Sequence, residues 1–419
     1  MTSEQPFVIV GASLAGAKAA ETLRTEGFDG RVVLIGEETE RPYERPLLSK
    51  DYLRGDKPAS KLYVHDEGFY ADNDIELMTG TRVESLDPGA HEVTVAGGGR
   101  ISYRKLLLCT GASARPLPLP GADLPGVRYL RLMGDSDALR AAISAASRVV
   151  VIGAGWIGSE VAASARQLGA EVAIMAPEAV PLERVLGQEV GGVYRDLHAE
   201  HGVHLHLSTK IEAIVGNGAA RGVRTAAGLV VKGDLVVVGA GVSPRDELAR
   251  DAGLSVENGI IVDQFLRTSA PDVFAAGDVA AMWNTRYNQR IRMEHWANAL
   301  NQGPAAARNM LGQDLAYVKL PYFYSDQYDL GMEYHGYATD WDRVVLRGDR
   351  AGREFLAFWL RDGRVLAGMN ANIWDQGDDI KALIRSGASI DPDRLADPSV
   401  PLADLLASPA AKADGPSRG

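Results

Sequence analysis

Phe7-Val8-Ile9-Val10 is a short, β-branched apolar run closed by a glycine. That pattern predicts a strand buried on both faces. Ala15 to Glu26 follows, rich in Ala with Lys, Leu, Arg and Glu among them, and predicts a helix. Arg31 to Gly36 is again apolar and predicts a second buried strand. Strand, helix and strand in about thirty residues make one βαβ unit. The same order recurs far along the chain. Arg148 to Ile152 reads as a strand, Gly158 to Leu168 as a helix and Glu171 to Met175 as a strand.

Punctuation between these blocks suggests boundaries. Arg115-Pro116-Leu117-Pro118-Leu119-Pro120-Gly121 is a proline-rich linker with little capacity for helix or strand. Gly239 to Pro244 reads as the return crossing. Beyond Tyr322 the texture changes to strand-like runs, Val344 to Leu346 and Glu354 to Leu360, with a helix near Ile380 to Arg385. The predicted fold is α/β, with two Rossmann-like dinucleotide-binding domains and a small α+β C-terminal domain. The expected domains are 1–113 with 243–322, then 114–242, then 323–406. The polar segment 407–419 is expected to be a disordered tail.

A chain of 419 residues exceeds a single core, in keeping with several domains. Its formal net charge of −11 argues against nucleic acid as a partner. No apolar run is long enough to span a bilayer, and no basic segment leads into an apolar one at the N-terminus. These features point to a cytoplasmic protein without membrane partners. The one cysteine, Cys109, cannot form an internal disulfide or a Cys-x-x-Cys site.

Each βαβ block carries a glycine turn. The first is Gly11-Ala12-Ser13-Leu14-Ala15-Gly16, with serine where G-x-G-x-x-G has its middle glycine. The outer glycines allow a tight turn and close helix packing, and the middle position faces a pyrophosphate. Ser13 is small and can donate its hydroxyl to phosphate. Glu37 ends the second strand, where an acid holds a ribose hydroxyl. The second turn, Gly153-Ala154-Gly155-Trp156-Ile157-Gly158, is a full match. Ala176 stands where the acid is expected, and Glu178 lies two residues on. No Lys or Arg between Ala176 and Glu183 offers a partner for a 2′-phosphate, which favours NADH over NADPH.

Further motifs make the chain resemble the FAD-dependent ferredoxin reductases of bacterial oxygenase and cytochrome P450 systems, which have a glutathione-reductase type fold. Arg41-Pro42-Tyr43-Glu44-Arg45-Pro46-Leu47-Leu48-Ser49-Lys50 is similar to the family's Pro-x-x-Arg-Pro-Pro-Leu-Ser-Lys stretch. Cys109-Thr110-Gly111 resembles its Ala-Thr-Gly, Phe274 to Asp278 its second flavin motif, and Tyr324-Ser325-Asp326-Gln327-Tyr328 the start of its C-terminal domain. The resemblance implies FAD in the first domain, NADH as donor with NADPH second, and a ferredoxin or, secondarily, a rubredoxin as acceptor. Both a monomer and a homodimer are compatible with the sequence. Catalysis would rest on Lys50 beside the flavin ring, paired with Glu160. FAD would be held by Gly11, Ser13, Leu14, Ala15, Gly16, Glu37, Arg45, Lys50, Val83, Thr110, Gly111, Arg131, Gly277, Asp278 and Trp296. NAD would be held by Gly153, Gly155, Trp156, Ile157, Gly158, Glu160, Glu178, Gly241 and Glu294. Asp278 reads either as an acceptor for the ribityl chain or as a helix N-cap, and Trp296 either as a flavin neighbour or as core.

Flavoproteins of this layout often pass electrons to a cysteine pair, which this chain lacks. That disfavours disulfide reductase, thiol peroxidase and cysteine-dependent oxidase activity. Two other readings stay open: a ferredoxin-independent NADH oxidase or diaphorase, and a redox-sensing interaction module. Arg286, Arg290 and Arg292 form a basic stretch that could dock an acidic ferredoxin or be an ordinary solvated loop. His198, His201, His204 and His206 cluster in sequence, but Gly202 divides them and no cysteine assists, so no metal site is expected.

Overall fold

The computed structural model describes residues 5–406. The described residues divide into two compact units: 5–177 with 201–319, and 178–200 with 320–406.

The first unit holds two five-stranded parallel sheets. One runs in the order Val273–Ala275, Lys105–Leu108, Phe7–Val10, Val32–Ile35, Ile75–Met78. The other runs Val127–Arg128, Leu235–Val238, Arg148–Ile152, Glu171–Met175, His204–His206. In each, the strand before the glycine turn is central, which explains its unbroken apolar run: neighbours and helices cover it on every side. Each sheet is accompanied by an inserted three-stranded antiparallel sheet, Val83–Asp87 to Arg100–Ser102 just before the strand Lys105–Leu108 and Ile211–Gly216 to Val230–Lys232 just before the strand Leu235–Val238.

The helices after the turns span Leu14–Thr25 and Trp156–Gln167, beginning one and two residues earlier than the sequence pattern suggests. The proline-rich segment from Arg115 to Pro118 is irregular, as its prolines require. The strands flanking the two crossings, Ala112–Ala114 and Val242–Pro244, pair with each other antiparallel.

The second unit is built on an antiparallel sheet in the order Tyr322–Gln327, Leu330–Gly336, Arg364–Ala371, Glu354–Arg361, Arg343–Asp349. Strand Glu354–Arg361 is buried from Phe355 to Leu360 on both faces. Leu356, Phe358 and Leu360 meet Ile380, Leu383 and Ile384 of the helix Gly377–Ser386. On the alternate face, the Trp359 indole donates to Leu186 O at 3.2 Å. Leu186 belongs to the helical segment Glu183–Glu200, interrupted at Gly187. Residues 178–200, expected within the 114–242 domain, thus group with the C-terminal sheet. The tail expected at 407–419 lies outside the described residues. No helix among the described residues is long and apolar enough to cross a membrane.

Candidate active site

The two turns are shaped by backbone packing. A Cβ on Gly11 (φ 118°) would lie 2.1 Å from Cys109 O, and one on Gly153 (φ 101°) 2.4 Å from Gly239 O. A Cβ on Gly16 would lie 2.1 Å from Gly11 O, and one on Gly158 2.1 Å from Gly153 O. Any side chain there collides with main chain, so these four positions demand glycine. Gly155 differs: a Cβ there would meet nothing within 4 Å, and the residue is exposed. Its counterpart Ser13 stands at the N-cap of its helix, yet its hydroxyl accepts no capping hydrogen bond. The second helix N-terminus therefore presents amide donors beside open space, and the first presents amides that its own N-cap side chain leaves unsatisfied, both arrangements that suit a phosphate.

Glu37 is exposed at the end of its strand and is held by Arg245 and, at 3.4 Å, by Arg82. Thr110 Oγ1 donates to Arg245 O at 2.6 Å, which ties the Cys109-Thr110-Gly111 turn to the return crossing. Val83 begins its antiparallel strand and packs against the first core.

Beyond this lies a chain of charged contacts. Arg45 Nη2 donates to Glu38 Oε1 at 2.5 Å, and Arg45 Nη1 to Arg131 O at 2.7 Å. Tyr43 OH donates to Glu38 Oε2 at 2.5 Å and accepts from Met133 N at 3.1 Å. Burial pushes the Tyr43 phenol well above its ordinary range, so it stays protonated. Arg131 Nη2 donates to Asp278 Oδ2 at 2.8 Å, while Arg131 Nε is buried with no hydrogen-bond partner. A buried, orphaned guanidinium donor is costly unless a bound group accepts from it. Asp278 sits in a short 3-10 turn, Gly277–Val279, and not at the start of an α-helix, so the N-cap reading is corrected. Gly277 N donates to Gln302 Oε1 at 2.9 Å. Trp296 opens the helix Trp296–Met310 and is half-buried.

Lys50 and Glu160 come together from residues far apart in sequence. Lys50 Nζ lies 2.8 Å from Glu160 Oε1, and both are buried. Ser49 Oγ donates to Glu160 Oε2 at 2.5 Å. A buried pair of this kind persists only with added hydrogen bonds on the carboxylate.

Among the remaining residues expected to hold NAD, Ile157 is exposed, Trp156 half-buried and Gly241 (φ 88°) exposed. Ala176 is fully buried. Glu178 falls in the second unit and pairs with Arg184 at 2.8 Å. Glu294 pairs with Arg292 at 2.6 Å. About a third of the Glu294 side chain is exposed, so neighbours crowd the carboxyl without covering it; that crowding pushes it up, against the pull of Arg292.

The basic stretch is divided. The Arg292 side chain is 9% exposed, committed to Glu294, and donates to Asp278 O at 3.2 Å. It serves the site's interior and not a docking face, which corrects that part of the expectation. Arg290 Nη1 donates to Ala281 O at 3.2 Å, and Arg286 is exposed. The histidines are divided too: buried His198 belongs to the second unit with Gln327, and His204 lies 3.4 Å from Glu171 in the first. No group of three potential metal ligands forms among the described residues. Cys109 is buried and its thiol is pushed far up by that burial.

Glu38, Tyr43, Ser49, Arg82 and Arg245 are contacts that the sequence reading missed. Tyr43 and Ser49 lay inside the quoted motif, and Glu38 beside Glu37, so proximity to motifs was the available signal.

A family model described as pyridine nucleotide-disulphide oxidoreductase matches residues 5–303, and a reductase C-terminal model matches 322–406. The ferredoxin–NAD(+) reductase component of an anthranilate 1,2-dioxygenase system from Burkholderia cepacia is 42% identical, over 96% of this chain and 100% of its own. Putidaredoxin reductase of Pseudomonas putida is 36% identical over 99% of each chain. The crystal structure of the covalent putidaredoxin reductase–putidaredoxin complex matches with a TM-score of 0.92 and 35% identity, covering 99% of this chain and 100% of that one. The chain belongs to the pyridine nucleotide-disulphide oxidoreductase family and is an α/β oxidoreductase with a reductase C-terminal domain.

Proposed function

We propose that the chain is an NADH-dependent ferredoxin reductase that serves an oxygenase or a cytochrome P450. The observation that carries this reading is the single cysteine, buried beneath the first glycine turn with its thiol pushed up. A disulphide relay needs two accessible thiols, so electrons must leave the protein from its cofactor. Relatives named as ferredoxin–NAD(+) reductase components support the choice of acceptor.

This reading puts FAD in the domain 1–113 with 243–322 and NADH in the domain 114–242 less the segment 178–200, which groups with the C-terminal domain 323–406. When bound, FAD would accept one hydride, two electrons together, and release them one at a time, the chemistry an iron–sulfur acceptor requires. The amides at Ser13 to Gly16 would hold its diphosphate, with Glu37 on the ribose, Arg45, Thr110, Gly111 and Val83 along its length, and Arg131, Gly277 and Asp278 toward the ring. The orphaned Arg131 Nε supports that placement. Lys50 supplies a fixed positive charge that Glu160 holds in place, and Trp296 covers apolar surface. The turn Gly153 to Gly158 would hold NADH, with Gly241 and Glu294 contributed from later segments of the same unit. The buried Ala176 offers no group for a 2′-phosphate, which supports NADH over NADPH. A cytoplasmic location goes with this reading, since NADH is supplied there.

The test is anaerobic. Purified protein is expected to carry flavin, to bleach on adding NADH faster than on adding NADPH, and to recover colour when an oxidised ferredoxin is added. Absence of bound flavin sinks the reading. Rapid turnover with oxygen or quinone and none with ferredoxin would replace it with an oxidase or diaphorase.

A further inference from the structure

Glu160 and Ser164 stand one turn apart on the helix Trp156–Gln167, so their side chains project from the same face. Ser49 and Lys50 lie against that face. Lys50 Nζ reaches Glu160 Oε1 at 2.8 Å, and Ser49 Oγ donates to Glu160 Oε2 at 2.5 Å. In return, Ser164 Oγ donates to Ser49 O at 2.6 Å. One residue earlier, Ser136 Oγ of the helix Met133–Ala145 donates to Leu48 O at 2.8 Å. Three successive residues, Leu48 to Lys50, are thereby tied to helices of the 114–242 region. Ser49, Ser136 and Ser164 are all at most 2% exposed, so water does not compete for these bonds.

A carboxylate gripped at one oxygen can still turn about its side-chain torsions. A second donor on the other oxygen fixes its plane, and a charge-assisted O–H bond of this length is strong. We propose that Ser49 is a positioning residue that holds the Glu160 carboxylate so that the Lys50 ammonium is presented at one place in the site. The inference rests on the reading above that Lys50 lies beside the flavin. Ser49 touches no reacting atom. Its hydroxyl shares the carboxylate's charge; without it Glu160 draws Lys50 closer, and less positive charge remains for the electron-rich ring.

FAD-loaded wild type, Ser49→Ala and Ser49→Thr are mixed anaerobically with a series of NADH concentrations, and flavin absorbance is followed by stopped flow. The midpoint potential of each is measured by dye equilibration without NADH. For Ser49→Ala the limiting reduction rate is expected to fall about tenfold while the half-saturating NADH concentration changes less than about twofold. Its midpoint potential is expected to move to a more negative value. Ser49→Thr keeps the hydroxyl and is expected to restore both. Should Ser49→Ala fail to hold FAD, Ser164→Ala loosens the Ser49 carbonyl and a longer, 3.5 Å contact from Arg54 Nη1, leaves the Ser49 hydroxyl in place, and the same signs are expected at about threefold. An unchanged rate and potential in Ser49→Ala, or in Ser164→Ala where that variant stands in, overturns the proposal, as does a Ser49→Thr that restores neither. A wild type whose flavin NADH fails to bleach sinks the reading of the site instead.

Discussion

The first glycine turn and the second are alike where the protein packs against itself and differ where a ligand would lie. At Gly16 and Gly158 a Cβ would sit 2.1 Å from a backbone oxygen in both. At the middle position one turn has Ser13 and the other Gly155, which faces open space. At the end of the second strand, one has an exposed Glu37 held by two arginines and the other a buried Ala176. The outer glycines answer to main-chain packing, which both sheets share. The middle residue and the acid answer to what is bound, so they are free to diverge between two cofactors.

The contrast can be broken at its seam first. Glu160→Ala removes the carboxylate that pairs with the buried Lys50 ammonium and is expected to cost about 3–5 kcal/mol in denaturant unfolding at neutral pH. A cost below about 1 kcal/mol would show that this pair does not tie the Leu48–Lys50 segment to the helix that follows the second turn.

Acidification probes the second unit, which carries neither turn. His335 is 5% exposed, and burial lowers it to about 4. The neutral form is favoured by folding, so its contribution is fully present above about 6.5. It is lost as pH falls from there through about 4, a change on the order of 3 kcal/mol. His335→Gln should flatten unfolding free energy against pH over that window. An unchanged slope would assign the loss elsewhere, with His295 of the first unit, also lowered by burial to about 4, the next group to replace.

Gly16→Ala and Gly158→Ala are expected to destabilise the apo-protein alike, by about 1–3 kcal/mol or more. Gly155→Ala should cost under about 1 kcal/mol of stability. It should weaken NADH binding about tenfold, as seen by titration of flavin absorbance. If Gly155→Ala unfolds the protein as readily as Gly158→Ala, the division between packing and ligand positions falls. The smallest effect is expected for Ser13→Ala: stability within about 0.5 kcal/mol, because the hydroxyl caps nothing, and FAD affinity lowered by a few-fold.

Much of the fold could be read along the chain. Phe7–Val10, Arg148–Ile152 and Glu171–Met175 form strands over the residues that the apolar runs mark. Helix starts were displaced because the first turn of each helix lies inside the glycine motif. Residues 178–200 were assigned by position in the chain. What settles their place is Trp359, more than 150 residues on, which reaches Leu186. Arg292 was grouped with Arg286 and Arg290 by spacing, but a paired strand sends Arg292 inward to Glu294.

Strand, turn and helix follow from residue types a few positions apart, because main-chain conformation and close approach are local demands. The two dinucleotide folds, the glycine positions and the lone cysteine were therefore fixed in the amino-acid order alone. Which of 44 basic side chains meets which of 55 acidic ones was not, since nothing local records a partner a hundred residues away. Lys50 with Glu160 under the hand of Ser49, Arg45 with Glu38, and Arg131 with Asp278 exist only once the sheets bring distant segments together. Burial then decides their worth, because it strips away the water that would otherwise compete for each bond.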